Sequence, residues 1–204
     1  MSLHPIYQIS LRDSAIRQGE ILTEVVQLEP DLDQASIFDI DQPSFKKIIH
    51  PYAVVISQDC HLDWDYVARS AIKLNSDNVY KQQHKLLNEI LLCEVQEAKI
   101  VRNYENVNRK EWELVASRRH ERFYFFQAVP SECDLEQKGL PELTADFKRV
   151  FGITPAYLHH LIDSGIAQRR TVLVSPYSHD LSHQYHSFQG RVALPLPHES
   201  IKET

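Results

Sequence analysis

Long hydrophobic runs are missing from this chain. The longest purely apolar stretches are about five residues, around Ala53 to Ile56 and Ile90 to Leu92, where a membrane-spanning helix needs roughly 20. No membrane segment is expected. The start, Met1-Ser2-Leu3-His4-Pro5, places no basic residues ahead of an apolar run, so no secretory signal is expected either. Cysteine is scarce. Cys60, Cys93 and Cys133 stand about 33 and 40 residues apart and form no C-x-x-C pair. That argues against a disulfide framework and a cysteine-built zinc site, and it fits a reducing cytoplasm. Five glycines leave little material for a phosphate-cradling loop, and no P-loop, dinucleotide fingerprint or G-x-S-x-G elbow occurs. Positive charge is in deficit, with 22 Lys and Arg against 28 Asp and Glu, a net −6. Broad charge-driven binding to nucleic acid or an acidic membrane is therefore disfavoured, and a local basic patch is not. Internal repeats and low-complexity tracts are absent.

What is present is an ordinary globular composition. Hydrophobic residues make up 43% and charged residues 25% of 204, enough for one large domain or a core with an appended subdomain. Eleven histidines would erase much of the acidic balance if protonated below pH ~6.5.

Along the chain, residues 1–17 read as an arm or edge segment. Ile21 to Leu28 is rich in branched residues, is bounded by Gly19 and Pro30, and reads as a strand. Residues 29–50 read as an excursion, and Tyr52 to Ser57 as a strand buried on both faces. Ser57 to Asp63 reads as a polar loop at the end of that strand, a common place for function. Helical patterns follow from Asp65 to Leu74 and from Asn78 to Glu89, with Leu86, Leu87 and Ile90 sharing a face. Leu91 to Val95 is a further core strand, Asn108 to Arg118 a short helix, and Arg122 to Gln127 an aromatic strand.

The C-terminal third reads as helical. Pro141 suits a first helical position, and Leu143, Phe147, Val150 and Phe151 fit one apolar stripe ending at a Gly152 cap. Thr154 then reads as an N-cap with Pro155 just inside, Tyr157, Leu158, Leu161 and Ile162 as a stripe, and Gly165 as the stop. Arg170 to Val174 is a strand and Ser175-Pro176-Tyr177 a turn. Leu181, Tyr185 and Phe188 form a third stripe ending at Gly190. Val192 to Pro195 is a final extended piece, and residues 196–204 form a tail. The expected class is α+β: a small SH3-like barrel or an antiparallel sheet over residues 1–130, with helical insertions, and a helical segment over residues 131–204 packed on that core.

Two stretches resemble the PemK/MazF-like family, the toxins of toxin–antitoxin systems. Gln18-Gly19-Glu20-Ile21 is similar to that family's opening G-[DE]-I strand, and Pro51-Tyr52-Ala53-Val54-Val55-Ile56-Ser57-Gln58-Asp59 to its second strand. The resemblance covers residues 18–60 and implies an SH3-like barrel and a ribonuclease ancestry. The family's loop arginine is absent from Gln58-Asp59-Cys60-His61, and Cys93-Glu94 stands where its third-strand Thr or Ser would be, departures that count against the activity more than against the fold. Ser57-Gln58-Asp59-Cys60, Ser175-Pro176-Tyr177 and Arg191-Val192-Ala193-Leu194-Pro195 are also similar to a further bacterial family, a likeness that implies no chemistry.

The densest chemistry lies in Asp59-Cys60-His61-Leu62-Asp63. A thiolate, an imidazole and two carboxylates could ligate a metal or pair a nucleophile with a base. The competing reading is an Asp that caps backbone N–H groups and a Cys that packs as a small apolar residue. Cys93 reads as core, Cys133 as incidental. His179, His183 and His186, spaced by four and three, share a helical face and are the candidate zinc ligands. Surface histidines without function are the alternative, because no metalloprotease motif accompanies them. Ser57, Gln58 and Tyr177 are candidate binding residues, and Gln168-Arg169-Arg170 and Arg118-Arg119 candidate phosphate contacts. His159-His160 and His120-Glu121-Arg122 have no evident partner. Residues 144–163 have the apolar spacing of a helix-turn-helix, although Tyr157, His159 and His160 are unusual base readers. The leading expectation is a non-catalytic interaction module for a protein or nucleic-acid partner, with no cofactor and an open oligomeric state. The alternatives are a metal-assisted or ribonuclease-like hydrolase using Asp59, Cys60 and His61, and a DNA binder.

Overall fold

The computed structural model describes residues 4–31, 44–74, 79–103 and 107–191. The elements are β1 (Tyr7–Ile9), β2 (Glu20–Pro30), β3 (Phe45–Val55), α1 (Asp59–Leu74), α2 (Val79–Gln82), β4 (Ile90–Glu97), α3 (Ala98–Arg102), α4 (Arg109–Ala116), β5 (Phe123–Phe126), β6 (Leu143–Ile153), α5 (Pro155–Asp163), β7 (Gln168–Leu173) and α6 (Tyr177–Gln189). The strands form one sheet in the order β1-β7-β2-β3-β4-β6-β5, antiparallel at every pairing. With β1 and β5 at its two edges the sheet is open, so of the two expected forms the antiparallel sheet holds and the barrel does not.

Alternation along the strands divides the core. Ile21, Val54, Cys93, Tyr124, Phe126, Phe147 and Leu173 face one way and meet Leu181, Tyr185 and Phe188 of α6. Leu22, Ala53, Val55, Leu92 and Ile153 face the other way and meet Leu62 of α1 and Leu158 and Leu161 of α5. Each fully buried side chain of this size contributes about 1.5–3 kcal/mol. A smaller cluster packs Val101 of α3 and Val115 of α4 on Phe123 at the β5 edge. Helix α4 begins where its sequence says it should: Asn108 accepts from the N–H groups of Lys110 and Glu111, and Glu111 reaches back to the Asn108 N–H, a reciprocal capping box.

Several expectations are corrected. Residues 141–151 are not a helix, and Leu143–Ile153 is strand β6. Leu143, Phe147 and Val150 do share a face, but the cause is a register shift. Cys93 pairs with Val150 whereas Val95 pairs with Ala145, so extra residues of β6 bulge out between them and reset the two-residue period. Gly152 lies in that strand opposite Leu91 and caps nothing. The helix-turn-helix falls with the helix. The segment after residue 131 is not purely helical: β6 lies between β4 and β5, and β7 between β1 and β2. The excursion of residues 29–50 is shorter than expected, because β3 already starts at Phe45 and Pro30 pairs with Phe45. Beyond α2 only a short 3-10 turn, Gln83–Lys85, continues the helix, and Leu86 is extended. The extended piece Val192 to Pro195 and the tail lie outside the described residues.

Candidate binding cleft

The Ser57–Asp63 stretch is not a loop. The carbonyl of Gln58 accepts the N–H groups of His61 and Leu62 at 3.1 Å each, so α1 begins at Asp59. Ser57 Oγ accepts the Leu91 N–H at 2.8 Å and ties β4 to the helix start, and Gln58 is exposed. Asp59 is fully engaged: Arg17 donates to both carboxylate oxygens, and the Gln18 N–H donates at 3.0 Å. Partial burial acts to raise its pKa, but the Arg17 and Gln18 donors and the fields of Arg17 and His179 outweigh it and hold the carboxyl below its ordinary value. Cys60 and His61 are exposed and, as neighbours on a helix, point about 100° apart. His61 leans on the Trp64 ring at 5.8 Å between ring centres. No hydrogen bond joins Cys60 to His61 among the described residues, and the expected nucleophile–base pair is not assembled. His179, His183 and His186 all lie on the exposed side of α6. Among the described residues no group of three or more His, Cys, Asp or Glu could hold a metal ion.

Arg169 and Arg170 do not reach the surface. Adjacent on β7, they point to opposite faces. Arg170 grips Asp134 through two contacts of 2.7 and 2.6 Å. Arg169 grips Glu20 at 2.6 and 2.9 Å and donates to the carbonyls of Arg12, Ser14 and Ala15 at 3.4, 2.7 and 2.9 Å. The Glu20 and Asp134 side chains are 0% exposed, so both arginines are structural. Tyr177, the remaining candidate, lies half-buried under the Arg118 guanidinium, 4.9 Å from its ring centre.

The carbonyl clamp of Arg169 shapes a cleft on this side of the sheet. It fixes residues 12–15, and the Tyr66 hydroxyl donates to the Asp13 carbonyl at 3.2 Å, so the arm lies beside α1. Between this arm, α1 and α5 opens a cavity of about 570 Å³, within the size range of ligand sites. Helix α1 offers Tyr66, Arg69, Ser70 and Lys73, and α5 offers His159, His160 and Asp163. Arg69 is oriented from beneath: its Nε donates to buried Asp65 at 2.7 Å and its Nη2 to the Leu87 carbonyl at 3.2 Å. Lys73 has no carboxylate within 4.0 Å among the described residues. Burial lowers the His159 pKa, and Arg69 and Lys73 push the same way, outweighing Asp163 and Asp65. His159 is therefore a neutral imidazole near pH 7.

A second cavity of about 340 Å³ adjoins the first and shares Arg12, Asp13, Ile162, Asp163 and Arg169 with it. Its own additions are Leu135, Glu136, Gly165, Ala167 and Gln168. Lys73 lines only the first cavity and Glu136, 3.8 Å from Arg12, only the second, while Asp163 lines both.

Of the residues singled out in the sequence, His159, His160, Gln168 and Arg169 line this groove, and Arg169 does so with its guanidinium committed to Glu20 and the arm carbonyls. Tyr66, Arg69, Ser70 and Lys73 follow i, i+3, i+4, i+7 spacing, which reads as a solvated helix face until α5 is laid beside it. No protein-family model, curated protein or solved structure matches the chain, so the assignment of this cleft rests on its own geometry.

Proposed function

We propose that this protein is a non-catalytic interaction module whose recognition site is the groove between α1, α5 and the N-terminal arm. Its partner is a protein that presents an extended segment of mixed charge. The observation that carries this reading is the pair of adjoining cavities beneath Arg12 and Asp13, with Lys73 lining only the first, Glu136 only the second and Asp163 both. An extended peptide fits a groove that runs from one cavity into the next. These charges select its direction, acidic residue toward Lys73 and basic residue toward Asp163.

The test is selection of a random linear-peptide library on the whole protein. Recovered peptides should carry an acidic residue ahead of or behind a basic one at fixed spacing. They should lose binding to Lys73→Glu and to Asp163→Lys, and regain part of it when their own charges are exchanged. Peptides that bind wild type and both variants alike would sink the proposal, as would a failure to enrich any common pattern.

A further inference from the structure

The stretch Ser117-Arg118-Arg119-His120-Glu121-Arg122 is the most basic in an acidic chain, and the groove proposed above uses none of it. Arg118 ends α4 in the left-handed region, with φ +56°. Its N–H donates to the Val115 carbonyl and that of Arg119 to the Leu114 carbonyl, the closing turn that usually employs glycine. A non-glycine residue there costs on the order of 1–2 kcal/mol, and such strain is often kept where a side chain must be presented. The turn projects Arg118 across α6, 3.7 Å from the Asp180 carboxylate.

The next residues face a notch of about 370 Å³ between this turn and the second half of α6. His120 Nδ1 lies 3.1 Å from the Arg122 N–H and 3.2 Å from the Phe123 N–H. Both are donors, so Nδ1 is an acceptor and the neutral ring carries its hydrogen on Nε2. Burial, with Arg122 and Arg191, lowers its pKa against Glu111 and Glu121, so this tautomer persists at neutral pH. Helix α6 contributes His183 and Ser187 from the other wall, and Arg191 closes the end. Glu121 is the sole carboxylate in the lining, and Arg191 pairs with it. The remaining donors, from two walls, converge on one space. The Phe188 ring, under the Arg191 guanidinium at 4.4 Å, supplies an apolar surface.

We infer that this notch is a binding site for a phosphate monoester, its phosphoryl group held by Arg119, His120 and His183 and its organic part against Phe188, with Arg118 kept on Tyr177 and Asp180 beside it. Donors arriving from two separate walls suit a tetrahedral oxyanion with three free oxygens better than a planar carboxylate, which is met from one side by a single guanidinium fork. Arg119 and His183 are exposed, so replacing them leaves the core intact.

The probes are inorganic phosphate and phenyl phosphate, titrated into the full chain at constant ionic strength and followed by amide chemical shifts. Both should move the Arg119, His120 and His183 signals, with phenyl phosphate the tighter. Arg119→Glu should weaken either by about tenfold or more, the loss expected for one charge-assisted contact, and His183→Ala by less. Lys73→Glu in the separate groove should leave both affinities unchanged. A phosphate response no larger than that to chloride would overturn the assignment. So would equal affinity in wild type and Arg119→Glu, or a loss in Lys73→Glu.

Discussion

The two faces of the sheet are built differently. On one, Tyr7, Tyr124, Phe126 and Phe147 make an aromatic layer, with the ring pairs Tyr124–Phe126 at 5.0 Å and Phe147–Tyr185 at 5.6 Å, and one helix, α6, covers it. On the other, aliphatic Leu22, Val55, Leu92 and Ile153 dominate, and two helices, α1 and α5, share the cover. A single helix has no helical neighbour to form a furrow with, and the notch beside α6 lies against the turn after α4 instead. Two helices, each about 10 Å across with its side chains, leave a furrow between them. In this protein the furrow holds the cleft of about 570 Å³.

That contrast can be strained most severely through the arginines of β7. Arg169→Ala would leave Glu20 buried and unpaired, at a cost of about 3–5 kcal/mol, and would also free the arm carbonyls. Urea denaturation should show the loss, and limited proteolysis should cut near residues 12–15. Arg170→Ala should cost less, because the Asp134 carboxylate keeps the N–H groups of Glu136, Lys138 and Gly139, and should leave the arm protected. Equal protease sensitivity in the two variants would break the claim that Arg169 shapes the cleft.

Phe147→Ala, in the aromatic layer, should cost about 3–5 kcal/mol, and Leu158→Ala, beneath the cleft, about 2–5 kcal/mol. The sharper readout is ligand-independent: Leu158→Ala should perturb amide signals of His159 and Lys73, whereas Phe147→Ala should perturb those of α6. Smaller still is a pair of glycines. Gly139 has φ +74°, and an added Cβ would stand 2.7 Å from the Val129 carbonyl oxygen, whereas Gly165 has φ +73° and open space around it. Gly165→Ala should lose only the left-handed penalty of about 1 kcal/mol, and Gly139→Ala distinctly more. Equal midpoints in denaturant would contradict this.

The mildest effect is that of pH. His50, His120 and His159 have native pKa values lowered from 6.5, mainly by burial. Below pH 6.5 the unfolded chain therefore binds more protons than the native one. Their contribution is complete above that pH and lost as pH falls through the native values. Stability should decline as pH falls below 6.5, and His159→Gln should flatten part of that slope. A slope identical to wild type would show that His159 is not held neutral.

Much of the strand framework is legible in sequence. Ile21 to Leu28, Leu91 to Val95 and Phe123 to Phe126 carry branched and aromatic residues between clear stops, and each is a strand in the structure. Asn108 and the Thr154-Pro155 pair mark two helix starts correctly, because caps depend only on neighbours a few residues away. Strand β6 was not legible. Its apolar residues at 143, 147 and 150 satisfy a helical period, and the bulge that produces this spacing exists only through pairing with β4. Helix α1 was read late because its first turn is polar, with Asp59, Cys60, His61 and Asp63 preceding the first periodic residues.

The candidate site follows the same division. A short run of charges and histidines drew attention to residues 57–63, but proximity in sequence places consecutive helical side chains in different directions. The groove is assembled from segments far apart in the chain: residues 12–14, 66–73 and 156–163.

By itself the sequence determined the α+β class, the strands with unbroken β-branched character, the capped helices and the scarcity of cysteine chemistry. These are consequences of local propensity and composition. Tertiary structure alone decided that β7 inserts between β1 and β2, that Arg169 and Arg170 are consumed by buried carboxylates, and that α1 and α5 lie side by side with a cleft between them. Each of these depends on contacts between residues distant in sequence, and no local pattern encodes the partner of a buried charge.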